Sequence, residues 1–394
     1  MKTYLLIFLT SLLTVAFTIT PLITIAIRKR LFDAPSEARK IHKRIIPNLG
    51  GVAIFSGFLF SLALFIGPEF LKIANFLLAS GVVIFVIGLK DDIIGVDPLK
   101  KFVAQFTAAF IITVLGDIRI MNLDGFLGIH ELSYPFSLGL SVFAIVGIIN
   151  AYNLVDGIDG LAGSLGLVVS LIYAYLFYAA GETGWSYLCL ALAGSLVGFL
   201  IHNISPARIF MGDCGSLMLG FLIAILSIQF INTGHEKLIE VGSFSMLSAP
   251  AFALSMVILP IFDTLRVFTI RIINGQSPFK ADRNHMHHRM LALGLNHMQA
   301  TATLVAISLV FIAVAFVCQS IGNNQLVATL MLVILLLNTV LSIYLYSRKI
   351  GEVEQTEVPV VPVDQVKPVA AVPAEITPES KSFVEKVLHK ISQN

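Results

Sequence analysis

Charge is scarce in this chain of 394 residues: 13% are Asp, Glu, Lys or Arg, 57% are hydrophobic, and the formal net charge is only +2. So few charges cannot cover a soluble globule of this length, and no basic stripe is left over for nucleic acid. Cysteine is scarcer still. Cys189, Cys214 and Cys318 fall in or beside apolar runs with no CxxC spacing, which excludes a disulfide framework and a thiolate metal centre. What fills the chain instead is long apolar runs, and these describe a polytopic membrane protein.

Apolar stretches of spanning length fall near residues 4–27, 50–67, 73–89, 99–118, 137–154, 161–180, 185–202, 214–231, 247–271, 301–319 and 324–346. Backbone in lipid must satisfy its own hydrogen bonds and none of these runs alternates polar with apolar, so the fold class predicted is all-α, with about 11 transmembrane helices. The first run is too long for a cleavable leader. Removing it would strand Arg28, Lys29, Arg30, Arg39, Lys40, Lys43 and Arg44 on the outer side, so an uncleaved span with the N-terminus outside is expected.

Loop charge then sets the orientation. The odd-numbered loops hold the basic runs, including Arg266, Arg271, Lys280, Arg283 and Arg289, while the even loops carry Lys72, Arg119 and Lys237. The odd loops and the C-terminus are therefore expected in the cytoplasm. Residues 117–137, the longest outer loop, pattern as a small hairpin around Asp-Gly. Residues 1–348 make one transmembrane domain. Residues 349–394 are rich in Pro, Val, Glu and Lys, and read as a disordered tail ending in a short amphipathic helix after Thr377. In the ninth span Pro250 and Pro260 predict a kink, and with it a groove for a long lipid.

Four polar groups fall on the expected cytoplasmic side. Asp91 and Asp92 follow the third span in KDDIIGVDPLKK. In NAYNLVDGIDGLAG, residues 150–163, Asp156 and Asp159 are three apart and flanked by glycines, with Asn150 and Asn153 just before. HNISPARIFMGDCGS holds Asn203, Phe210 and Asp213 at the start of the eighth span, where a helix N-terminus suits phosphate. DRNHMHHR places His285, His287 and His288 between Arg283 and Arg289, better suited to an anion than to a metal ion. Taken singly, Asp159 or Asp213 would be a helix cap and Asp91–Asp92 a solvated helix end. Together they set hard oxygen ligands opposite phosphate donors (Lys43, Arg283, His287, His288), the inventory of Mg²⁺-assisted phosphoryl transfer between a soluble and a lipid substrate.

In their order and residues, KDD, NAYNLVDGIDGLAG, RIFMGDCGS and HMHHR resemble the polyprenyl-phosphate N-acetylhexosamine-1-phosphate transferases, glycosyltransferase family 4, across roughly residues 38–295. The resemblance implies a bacterial inner-membrane enzyme that moves a sugar-1-phosphate from a UDP-N-acetylhexosamine to undecaprenyl phosphate and releases UMP. It implies Mg²⁺, with Mn²⁺ as an alternative, at Asp213 with Asn153. Asp91 and Asp92 become the catalytic acidic pair, and Asp156 and Asp159 the nucleotide-side and diphosphate-side acids. Asn153, Asn203, Phe210, Lys43, Arg283, His285, His287, His288 and Arg289 contact substrate, with Asn203 and Phe210 on the uracil. The HMHHR form and IIPNLGG, with Asn48 where the MurNAc-pentapeptide translocases have Thr, point to the GlcNAc-1-phosphate branch. The pentapeptide transferase is the alternative within the family, an ion-coupled transporter the alternative outside it, and a homodimer stays open.

Overall fold

The computed structural model describes residues 2–29, 46–237, 239–242, 244–277 and 284–356. The described residues up to Leu345 form one compact unit, and those from Tyr346 on belong to a second. The expected apolar runs become helices α1 (Lys2–Lys29), α2 (Gly50–Phe65), α3 (Leu71–Ile94), α4 (Pro98–Phe110) and α5 (Tyr134–Val155). They continue as α6 (Leu161–Ala179), α7 (Thr183–Asn203), α8 (Gly212–Glu236) and α9 (Ala249–Ile273). A short α10 (Met286–Ala292) precedes α11 (His297–Val317) and α12 (Asn323–Thr356).

Among the described residues ten helices are long and apolar enough to cross a membrane, one fewer than expected. The exception is α2, whose 16 residues rise only about 24 Å against the ~30 Å of a hydrocarbon core. α4 reaches span length by running on through a π-helical turn, Ile111–Leu115. α12 continues to Thr356, past the boundary expected at 348. The tail helix expected after Thr377 lies outside the described residues.

α8 is the axis of the bundle. Cys214 to Ile228 are buried without a break, and α2, α3, α5, α6 and α9 all pack on this helix. Small residues let the site-proximal ends of α2 and α3 press against its first turn. A Cβ on Gly51 would lie 2.1 Å from the Gly215 amide nitrogen, and one on Gly88 would lie 2.6 Å from Cys214 Cα. Both neighbours are backbone and cannot swing away. Gly51→Ala is therefore expected to destabilise the bundle by about 3 kcal/mol, the upper range for overpacking, read as a lower melting temperature in detergent.

The hairpin expected in residues 117–137 is present: β1 (Asn122–Phe126) pairs antiparallel with β2 (Ile129–Glu131). Asn323 donates to the Asp124 carbonyl (3.0 Å), and Asn232 donates to the Arg119 carbonyl (2.9 Å) while accepting the Met121 N–H (3.2 Å). These bonds tie the hairpin to α12 and to the far end of α8. A second hairpin, β3 (Glu240–Val241) with β4 (Phe244–Ser245), was not expected. The two short hairpins qualify the all-α class without altering the helical bundle.

The stretch of α9 where a kink and a lipid groove were expected is packed inside the bundle. Pro250 stands in the first turn, where proline is tolerated, and the helix runs unbroken through Pro260 with Ser255 to Pro260 buried on every side.

Candidate active site

Asp91 and Asp92 are adjacent in sequence but turn to different partners. Asp92 accepts from the backbone N–H groups of Asp213 (2.8 Å) and Cys214 (2.9 Å), so a carboxylate from α3 caps the first turn of α8. The cap reading of Asp213 is thereby displaced: Asp213 lies inside the helix, and its own amide is the one capped.

Asp91 faces the other way. It accepts from Val96 N–H (2.5 Å) and from the Lys101 ammonium (2.7 Å), and the same ammonium donates to Asp213. Local sequence explains how Lys101 arrives. α3 stops at Gly95, which takes a positive φ, and Asp97 then accepts from Leu99 N–H (2.9 Å) to start α4 at Pro98. Lys101 is one turn in, on the face that looks back at Asp91. Lys100 and Lys101 stand side by side at the end of KDDIIGVDPLKK, and only the phase of α4 separates them.

Asn153 completes this cluster from the last turn of α5, its amide donating to Asp213 (2.9 Å) and to the Ser216 hydroxyl (2.9 Å). It contacts Asp213 through its nitrogen and serves as a brace for that carboxylate. Asn150 turns away instead, donating to the buried Gln105 of α4 (2.6 Å).

The DGIDG loop splits its two acids. Asp156 is half-buried, and burial, followed by the charges of Asp213, Asp92 and Asp159, pushes its carboxyl up to about 7. Asp159 is buried and braced. It accepts from Ala207 N–H (3.2 Å), sits 3.4 Å from His297 Nδ1, and its carbonyl accepts from Thr301 (2.9 Å). Asn203 performs a similar duty, accepting from Gly160 N–H (2.9 Å) and donating to the Ile209 carbonyl (2.8 Å). These bonds lock the loop between α7 and α11. Phe210 is half-buried; its N–H donates to Pro47 (2.8 Å), and its carbonyl accepts from Gly50 (2.9 Å).

The histidine segment enters from the opposite side. The His287 ring lies against Gly157, where a Cβ would be 2.2 Å from Nε2, and its plane is 2° from that of His285 at 5.8 Å. His288 follows at 4.3 Å from His287. Burial, reinforced by His288, holds the His287 imidazole down to about 3, so the ring is neutral at physiological pH. Arg289 donates to Asn338 (2.6 Å) and Ser342 (2.7 Å) of α12. Lys43 and Arg283 lie outside the described residues.

A pH experiment isolates Asp156. Across the window from about 4 to 7 the folded chain keeps a proton that the unfolded chain has released, so this group's contribution to stability falls as pH rises through that window. Asn does not titrate. The stabilising gain of Asp156→Asn is expected to grow from about pH 4 to 7 and to level off above, measured as melting temperature against pH.

A bundle of apolar helices that closes around several carboxylates and one bridging lysine at a single end is the design of an integral-membrane enzyme for charged, phosphorylated substrates. Residues 74–231 match the family model of glycosyl transferase family 4. The chain is 36% identical, over 79% of its length and 84% of the relative's, to the probable undecaprenyl-phosphate N-acetylglucosaminyl 1-phosphate transferase of Bacillus subtilis. It is 32% identical to the decaprenyl-phosphate N-acetylglucosaminephosphotransferase of Mycobacterium leprae, over 66% of this chain and 70% of that one. The undecaprenyl-phosphate alpha-N-acetylglucosaminyl 1-phosphate transferase of Salmonella typhimurium is 30% identical over 70% and 73%. The chain belongs to glycosyl transferase family 4 and is a polytopic membrane transferase; the transporter alternative falls with that assignment.

Proposed function

We propose that this protein transfers GlcNAc-1-phosphate from UDP-GlcNAc to undecaprenyl phosphate, releasing UMP and starting a lipid-linked cell-envelope polysaccharide. The observation that carries the reading is the Asp91–Lys101–Asp213 bridge beside Asn153, placed at the end of a lipid-facing bundle. The loop-charge asymmetry supports a cytoplasmic position for that end in a bacterial cell, where nucleotide sugars are found.

The donor set fits Mg²⁺. Among the described residues no group of three or more His, Cys, Asp or Glu forms a closed cage, and Mg²⁺ shared with a diphosphate needs only one or two carboxylates. Asp213 and Asp91 would hold it, since their side chains keep 28% and 17% of their surface open and are already aimed at one cation, Lys101. When bound, the ion would supply neutralisation of the diphosphate charge.

The protein's own residues do the positioning. A phosphate oxygen of the lipid attacks the β-phosphorus of UDP-GlcNAc, the bond to the bridging oxygen breaks, and UMP leaves with that oxygen and its electron pair. The lipid phosphate monoester is largely dianionic near neutrality, so no carboxylate has to remove a proton first. Lys101 offers a cation to the phosphates, the neutral His287 offers a ring N–H, and Asp156 at the loop edge keeps the nucleotide side acidic.

Purified protein in micelles with Mg²⁺, undecaprenyl phosphate and a panel of UDP-sugars tests this. UDP-GlcNAc is expected to yield UMP and a lipid pyrophosphoryl sugar in equal amounts. UMP release without the lipid would overturn direct transfer, and preference for UDP-MurNAc-pentapeptide would overturn the donor.

A further inference from the structure

Asp263 lies within an apolar run, has no place in the chemistry above, and is only 2% exposed. A carboxylate buried in a helix bundle is costly unless fully partnered. This one is. Its two oxygens receive the Met286 N–H at 2.9 and 3.0 Å, Oδ2 lies 3.1 Å from His285 Nδ1, and Arg266 donates to Oδ1 at 3.1 Å. Arg266 also donates to the Asn284 carbonyl, so residues 284–286 are pinned to α9 at three successive positions.

What those bonds fix is the direction of the histidine segment. With His285 held on Asp263, its ring lies parallel to that of His287, and His287 in turn is pressed onto Gly157, next to Asp156. A water-sized cavity lined by Asp263, His287, Val155 and Leu161 lies alongside this stack.

We infer that Asp263 is a positioning residue: through His285 and the start of α10 it sets the His287 imidazole against the DGIDG loop, where that ring meets the donor diphosphate. The inference rests on the proposed transferase reading for what His287 does, but not for where His287 is held.

The test uses the full chain in micelles, with diethyl pyrocarbonate labelling of histidines read by peptide mass alongside UDP-GlcNAc turnover. In the wild type, His285 and His287 are buried and should label slowly, as should His202, which is buried on α7 away from α9 and α10. Asp263→Asn is expected to raise labelling of His285 and His287 by about tenfold, a local opening, with His202 unchanged. Turnover should fall by about 10²-fold, as for a misplaced catalytic group, with KM for UDP-GlcNAc nearly constant. Unchanged labelling of His287, or released histidines with full turnover, would overturn the inference. If Asp263→Asn exposes His202 as well, His285→Gln decides: faster labelling of His287 alone supports the relay, and no change overturns it. A wild type that labels as described but leaves UDP-GlcNAc untouched would instead refute the transferase reading.

Discussion

Asp213→Asn is expected to lower transfer from UDP-GlcNAc by about 10³-fold, the scale for removing one preorganised charge from a transition-state site, at a stability cost of about 1–2 kcal/mol because its new NH₂ faces the Lys101 ammonium. The substitution is nearly isosteric. It retains an oxygen that can accept from Asn153, and the cap on the first turn of α8 is unaffected because Asp92 holds backbone amides, not the Asp213 side chain. What disappears is the negative charge that Lys101 bridges to Asp91. The loss should therefore appear in kcat, and because Asp213 is one of the two carboxylates that would hold Mg²⁺, raising the ion concentration should recover part of it. Incorporation of labelled GlcNAc-1-phosphate into lipid measures this directly. A variant within tenfold of wild type would remove Asp213 from the centre of the site.

Much of the fold was legible because lipid imposes a single rule on the backbone. Each apolar run of span length had to be a helix, and each is one. The hairpin at residues 122–131 was legible from its strand-like runs and glycines, although its turn falls on Leu127 and Gly128 while Asp124 and Gly125 lie inside β1. The acids of the site were legible as types: Asp91, Asp92, Asp156 and Asp213 do converge, as the electrostatic influence of Asp213 and Asp92 on Asp156 requires.

What could not be read was direction. Lys100 and Lys101 are equivalent in sequence, and the difference depends on where Asp97 and Pro98 start the helix turn. Asp159 and Asn203 look like ligands by composition, yet their bonds to Ala207, Gly160 and Ile209 show them bracing a loop. Arg289 sits in a motif that reads as anion-binding and spends its guanidinium on α12. Asp263 is visible toward the end of the ninth apolar run, but nothing in the sequence pairs it with residues 285 and 286. In each case periodicity assigns the element, whereas tertiary packing chooses which polar partner the side chain meets.

The adjacent acids Asp91 and Asp92 give the sharpest separation of structure from chemistry. Asp92→Ala leaves the Asp213 and Cys214 amides without acceptors at a tightly packed junction, and is expected to cost about 2–4 kcal/mol, one to two unsatisfied donors, as well as activity. Asp92→Asn should fall between, because its amide oxygen can accept only part of what the carboxylate holds and its NH₂ faces donors. Asp91→Ala loses one backbone bond and one ion pair at a partly open position. It should cost about 1 kcal/mol, yet reduce transfer by about 10²-fold, because Lys101 is then shared with no second carboxylate. Melting temperature and kcat measured on the three variants in parallel distinguish the two roles. Equal destabilisation by Asp91→Ala and Asp92→Ala would refute the assignment of Asp92 as the cap of α8.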